Sequence, residues 1–228
     1  MEKSDRKVIT RSPSHGVAAV IAGGILNNYV EAESTLESDF IRRAALMPSH
    51  PKVFHQPFRL PISPKGYTPD FLLFFDSSGF KAVVETKMSM RIDAKYTELF
   101  DDAACFLRER GYIYFVVTEA ELRHHGIHTR AKLLTRYAKQ QVATSHADKI
   151  ISIAASYPHG IPVGSLARKA QVPIHLILAL VATGKLTTGP LLQTDASAIV
   201  NTLNDSKETA DEILVRRWLG ATPWDQDY

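Results

Sequence analysis

Tyr67-Thr68-Pro69-Asp70-Phe71-Leu72-Leu73-Phe74-Phe75, then after a Ser77-Ser78-Gly79 break Phe80-Lys81-Ala82-Val83-Val84-Glu85-Thr86-Lys87-Met88, decides the reading of this chain. Asp70–Phe75 is a short, almost wholly apolar run, the pattern of a strand covered on both faces. Ser77-Ser78-Gly79 supplies a hairpin turn, and Phe80–Met88 reads as the partner strand. Side chains alternate along a strand, so Glu85 and Lys87 share a face with Cα atoms about 6.6 Å apart. The hairpin can bring Asp70 alongside them.

Working outward, Ile92, Tyr96, Leu99, Phe100, Ala103, Phe106 and Leu107 repeat at helical spacing, so Asp93–Arg110 is predicted as an amphipathic helix that Gly111 stops. Tyr112–Thr118 is another buried strand, and strand, helix, strand implies a right-handed crossover and a parallel pair. Upstream, Pro64-Lys65-Gly66 is a turn, and Val53–Pro61 reads as an extended edge segment marked by Pro57 and Pro61. Ser34–Met47 is a helix: Ser34-Thr35-Leu36-Glu37 fits a capping box, and Pro48 closes it. Leu36, Phe40, Ile41, Ala44 and Met47 form its apolar stripe, with Ser38, Asp39, Arg42 and Arg43 opposite. Glu37 is the exception, because it points into that stripe, where a carboxylate is costly to bury without a partner.

Two or three carboxylates converging with one lysine suit metal-assisted phosphodiester hydrolysis. Hard Mg²⁺ takes oxygen ligands and keeps several waters. A metal lowers the pKa of bound water and neutralises phosphate charge, and a lysine orients the water or stabilises the transition state. The plain alternative is a turn-forming Pro-Asp with a solvated Glu/Lys pair. Against it, Ala82-Val83-Val84 run straight into Glu85, and Glu37 independently supplies a misplaced carboxylate, although the capping box alone would also explain Glu37.

Past Thr118 comes a helical segment holding His124, His125 and His128, read as solvated imidazoles because no paired Cys or acidic motif completes a ligand set. Arg130–Val142 follows. From Ala147 the chain turns to short helices, Asp148–Ser156, Val163–Ala170 and Ile174–Thr183, with Lys185–Thr188 as a small wing; that order resembles a winged helix. The second of the paired helices is mostly apolar, with His175 its only base-reading candidate, whereas a reading helix presents Arg, Asn, Gln or Lys. Arg168 and Lys169 are left for phosphate contact, and protein docking or non-specific binding stands ahead of sequence reading. The tail is polar over Asn204–Glu208 and then offers Ile213, Leu214, Trp218 and Trp224, which reads as a partner-docking element. Four parts result: an N-terminal arm over 1–30, a catalytic domain over 31–145, a winged-helix-like domain over 146–203 and the tail over 204–228.

Composition fits this picture. Of 228 residues 45% are hydrophobic and 22% charged, which excludes a mostly disordered chain. Twenty-seven Lys and Arg against 24 Asp and Glu leave +3, permitting a nucleic-acid partner without demanding one. The lone Cys105, read as a buried thiol, excludes an intrachain disulfide and suits a reducing compartment. No apolar run approaches the roughly 20 residues of a membrane helix, and Gly16–Leu26 lacks a cleavage site, so a cytoplasmic protein without membrane contact is expected.

Glu33-Ser34-Thr35-Leu36-Glu37 with Phe40, Gln56-Pro57, Tyr67-Thr68-Pro69-Asp70-Phe71 and Val84-Glu85-Thr86-Lys87 together resemble TnsA, the endonuclease subunit of heteromeric cut-and-paste transposases. The likeness covers about residues 30–118. It implies an α/β restriction-endonuclease-like (PD-(D/E)xK) catalytic domain followed by a small helical, winged-helix-like domain. It implies Glu37, Asp70, Glu85 and Lys87 as the active-site residues. Glu37, Asp70, Glu85 and the Thr86 backbone carbonyl would hold Mg²⁺, with Mn²⁺ able to substitute, and Lys87 would be the catalytic lysine. Family members cut the 5′ ends of the element in double-stranded DNA, a partner transposase subunit cuts and joins the 3′ ends, and an ATP-dependent regulator selects the target. The resemblance places such a protein in a prokaryotic cytoplasm, on the nucleoid when active. Some relatives carry Gln where this chain has Glu85, which restores the common nuclease pattern. A stand-alone restriction- or repair-type nuclease and a non-enzymatic winged-helix DNA-binding regulator remain the alternatives.

Overall fold

The computed structural model describes residues 30–203 and 210–224. The arm over 1–30 therefore lies, but for Val30, outside the described residues, as does the polar start of the tail at 204–209.

The first part runs α1 (Thr35–Ala45), β1 (Lys52–His55), β2 (Phe71–Phe74), β3 (Lys81–Thr86), α2 (Ala94–Arg108), β4 (Ile113–Val117), α3 (Glu119–Arg123) and α4 (Ile127–Tyr137). Its strands form one sheet in the order β1-β2-β3-β4. The first two pairs are antiparallel and β3–β4 is parallel, as the strand–helix–strand pattern predicts. The β2–β3 hairpin closes through Phe75 N–H to Phe80 O at 3.0 Å, and Gly79 adopts φ 74°, a value that favours glycine. Asp93 caps α2 by accepting the Tyr96 N–H. Phe71, Leu73, Ala82 and Val84 face α1, whereas Leu72, Val83 and Tyr114 face Phe100, Ala103 and Leu107 of α2.

Two details differ from the sequence reading. β1 stops at His55, because Gln56 turns to φ 42° and gives its N–H to Asp70 O at 2.7 Å. Helix α1 is buried on nearly every side: Ser38, Asp39 and Arg43, expected on its polar face, are all covered. Distant partners make this tolerable. Arg123 Nε lies 2.9 Å from Asp39 Oδ2, and Arg43 donates to Glu121 O at 2.6 Å. Burial pushes the Arg43 guanidinium down to about 10, still charged at neutral pH.

The second part comprises α5 (Thr144–Ala155), β5 (Ile161–Pro162), α6 (Val163–Ala170), α7 (Ile174–Ala182), β6 (Leu186–Thr188) and β7 (Ile199–Thr202), with an antiparallel sheet ordered β5-β7-β6. The division expected near 145 falls at the start of α5, and no apolar gap marks it. Helix α7 packs on α4, and buried side chains of both parts belong to one continuous cluster. No single helix among the described residues is long and apolar enough to cross a membrane; α6 and α7 reach that length only together, across a 115° bend.

The tail corrects the docking expectation. Helix α8 (Asp211–Leu219) buries Val215, Trp218 and Leu219, and Trp218 Nε1 donates to Arg43 O at 2.9 Å. Trp224 Nε1 donates to Asp101 Oδ1 at 2.8 Å, its ring meets Phe100 edge-on, and its N–H bonds Tyr114 O at 2.8 Å. The two tryptophans are anchors on the first part, and Trp224 shields the outer edge of β4 from further strand pairing. Polar composition upstream masked this, because the apolar partners lie more than a hundred residues away. Cys105 is exposed, on the solvent side of α2, and not the buried thiol expected.

Candidate active site

Glu85 and Lys87 leave the end of β3 on the α2 face, with Glu85 in register with Val116 of β4. Glu85 is 4% exposed. Its Oε1 lies 3.1 Å from Lys87 Nζ, and its Oε2 accepts the Tyr67 hydroxyl at 2.7 Å. Tyr67 OH also lies 2.7 Å from Tyr114 OH. Since the Tyr67 proton goes to Glu85, Tyr114 is the donor in that pair. A backbone bridge between Leu60 and Tyr67 fixes the loop that carries Tyr67. Lys87 Nζ lies 4.6 Å from the Tyr96 ring centre, where the π face favours a cation.

Asp70 immediately precedes β2. Phe71 pairs with Val84, so one further step of the register sets Asp70 opposite Glu85 on the same face. Asp70 Oδ2 accepts both the N–H and the hydroxyl of Thr86, each at 2.8 Å. Thr86 thus meets Asp70 as a double donor.

Glu37 arrives from the other face. The first turn of α1 places it at the same end of the sheet, where Glu37 Oε2 accepts the Glu33 N–H at 2.6 Å and lies 3.8 Å from His55 Nε2. His55 is buried against Phe71, its Nε2 has no hydrogen-bond partner, and burial lowers its pKa, so it is neutral at pH 7. Among the described residues, no three His, Cys, Asp or Glu side chains close into a group that would hold a metal ion. The trio expected from the resemblance is therefore gathered at one end of the sheet without sharing one shell. Asp70 lies between, electrostatically coupled to both Glu37 and Glu85.

Burial sets the protonation of this end. Glu85 is pushed up to about 8, by burial first and then by Asp70; Lys87 and Tyr67 pull the other way and lose. Glu37 is pushed up to about 7 by burial and by Asp70. Asp70 is also raised by burial, against the two Thr86 hydrogen bonds and Lys87. For Lys87 burial acts downward, but the Glu85 contact and its other neighbours outweigh it, and the ammonium is held above its usual range. Tyr67 and Tyr114 are held well above theirs by burial and stay neutral. The result is a buried acid cluster with one firmly positive neighbour, an environment that a divalent cation would stabilise.

Sequence reasoning missed Tyr67, Tyr114 and His55 as members of this end. Tyr114 was legible in principle, since the parallel register puts it beside Val83 on the α2 face. One strand over from Glu85, α2, β4 and 220–224 border a half-open cleft of about 600 Å³ lined by Thr97, Asp101, Val116, Thr118 and Trp224. The histidines do not join the site: His124 and His125 are exposed, and His128 is half-buried. Ile177–Ala182 are all buried, which leaves α7 little to present to a groove, and Arg168 reaches back to Gly164 O and Ser165 Oγ of its own helix.

Compared with known proteins, the chain matches no protein-family model and no curated protein.

Proposed function

We propose that this protein is a divalent-metal-dependent DNA endonuclease, the 5′-end-cutting subunit of a TnsA-like heteromeric transposase. The observation that carries this reading is Asp70 and Glu85 on one sheet face, with Lys87 in contact with Glu85 and both acids raised by burial. A sheet with a helix on each face and its charges at one end supports a restriction-endonuclease-like catalytic domain. The helix–strand–helix–helix–strand–strand order over 144–202 supports the winged-helix-like reading.

The donor chemistry fits a hard cation: Asp70 and Glu85 are oxygen donors, and Mg²⁺ needs only one or two carboxylates with waters completing its shell. When bound, Mg²⁺ would acidify a water and neutralise charge on the scissile phosphate. Thr86 fixes the Asp70 carboxylate through two hydrogen bonds. Tyr67 holds one Glu85 oxygen and leaves the other beside Lys87. The Lys87 ammonium, positive throughout the physiological range, orients the attacking water or stabilises charge on the phosphate. Glu37 contributes from the α1 face through its coupling to Asp70.

The buried α7 argues against a regulator that works by reading bases. In this reading the partners are double-stranded transposon ends, a 3′-end-cutting transposase subunit and an ATP-dependent target selector, in a prokaryotic cytoplasm. The test is strand cleavage of transposon-end duplexes with Mg²⁺ and the partner subunit. The wild type should cut the 5′ ends and Asp70→Ala should not. Full 5′ cleavage by Asp70→Ala overturns the assignment, and cleavage of unrelated duplexes by the chain alone would favour the stand-alone nuclease.

A further inference from the structure

Residues 122–147 contain five Lys or Arg, four His and no Asp or Glu. The whole chain has a net charge of only +3, so everything outside this segment is net negative. Two of the five cations have structural duties. Arg123 is bound to Asp39 and Thr35, and Arg130 donates to His125 O and Leu191 O. The other three, Lys132, Arg136 and Lys139, are exposed and make no ion pair among the described residues.

Lys132 and Arg136 lie on α4 and Lys139 just past its end. Their spacing of four and three residues puts them within about 60° of one another on the helical surface, over roughly 10 Å of axis. The buried stripe of α4, Ile127, Ala131 and Leu134, faces another way. The segment also touches the first turn of α1 through Arg123. Arg123 Nη2 reaches Thr35 Oγ1 at 3.2 Å, so the start of the 124–139 segment lies beside the first turn of α1, which carries Glu37.

We infer that Lys132, Arg136 and Lys139 form a phosphate track that holds duplex DNA, an inference that rests on the nuclease reading. Each strand of a duplex presents a phosphate about every 3.4 Å of axis, so a 10 Å row of three cations spans about three of them. Such contacts position the duplex without reading its sequence. A membrane-surface role lacks its second half, because the apolar side chains of α4 are already buried against α1 and α7.

The test is the salt dependence of binding to a 30-base-pair duplex, measured in an Asp70→Ala background so that cutting plays no part. The triple variant Lys132→Gln, Arg136→Gln, Lys139→Gln should lower the slope of log K against log salt by about 2–3, near 0.9 per phosphate contact. The loss should be equal for transposon-end and scrambled duplexes. The charge-preserving variant Lys132→Arg, Arg136→Lys, Lys139→Arg should keep the slope, which separates charge from folding. An unchanged slope in the Gln variant, a lost slope in the charge-preserving one, or no duplex binding at about 50 mM salt overturns the track. So does loss of binding to anionic phospholipid vesicles with duplex binding untouched. A reduced slope in a protein that never shows Asp70-dependent cleavage would keep the track and remove the nuclease reading.

Discussion

The two parts of the molecule spend their buried volume differently. Apart from Thr188, the buried Glu, Asp, Ser, Thr, Arg and His side chains among the described residues lie in the first part: Glu37, Ser38, Asp39, Arg43, His55, Glu85 and Thr86. The second part buries an almost unbroken apolar helix, α7, against α4. Burying ionisable groups opposes stability unless partners offset it. The first part bears that opposition where its carboxylates gather, and the shared core with α7 and α8 offsets it. The contrast predicts that variants at the sheet end lose chemistry and keep the fold, whereas variants in α7 and α8 do the reverse.

The largest effect is expected at Asp70. Asp70→Ala should remove cleavage while far-ultraviolet circular dichroism stays unchanged. Melting in EDTA above about pH 8, where Glu37 and Glu85 are ionised, should rise because repulsion on them is relieved. A melting temperature that falls by ten degrees or more would place Asp70 among the structural residues and break the contrast.

Trp218→Ala should cost about 3–5 kcal/mol, the usual range for a buried Trp truncated to Ala, with the loss of the Arg43 O hydrogen bond included. Ile177→Ala, from the heart of α7, should cost about 2–5 kcal/mol. Urea unfolding measures both. Mn²⁺ affinity below the transition should be unaffected in either variant, and a metal-binding defect without destabilisation would erase the distinction between the parts.

Lys87→Ala should lower turnover by about 10²–10³, the scale of removing one preorganised electrostatic contact. Calorimetry should show Mn²⁺ affinity unchanged or stronger, because a neighbouring positive charge has gone. Loss of secondary structure together with metal affinity would make Lys87 a structural partner of Glu85.

The same contrast predicts a pH dependence. Glu37 and Glu85 bind their protons more tightly folded than unfolded, with values raised from 4.5 to about 7 and about 8. Their contribution to stability is therefore complete below pH 4.5 and is lost as pH rises through about 7 and then about 8. Metal-free protein should melt progressively lower across that window, and Glu85→Gln should flatten its upper part. Stability that climbs over the same range would contradict the burial of these acids.

How much of this was legible in the sequence depends on how far away the partners lie. Helix α2 was readable because its stripe, its Asp93 cap and Gly111 are all local. The β2–β3 hairpin was readable from its apolar runs and turn, and Asp70 opposite Glu85 follows from its register. The covered polar side of α1 was not, since Arg123, Glu121 and Trp218 come from 78 to 175 residues away. The same distance hid the landing of Trp224 on Asp101 and Phe100. Glu37 was correctly marked as out of place, but periodicity could not say that it reaches the sheet end from the face opposite Glu85.

The most direct test of a metal site between Asp70 and Glu85 is a crystal of the wild type soaked in Mn²⁺ and examined by anomalous scattering. A peak is expected within coordination distance of Asp70 and Glu85 at the end of β3, with Lys87 beside it and not bound to it. Saturating Mn²⁺ with no peak between those two carboxylates, or a peak only elsewhere, would contradict that site.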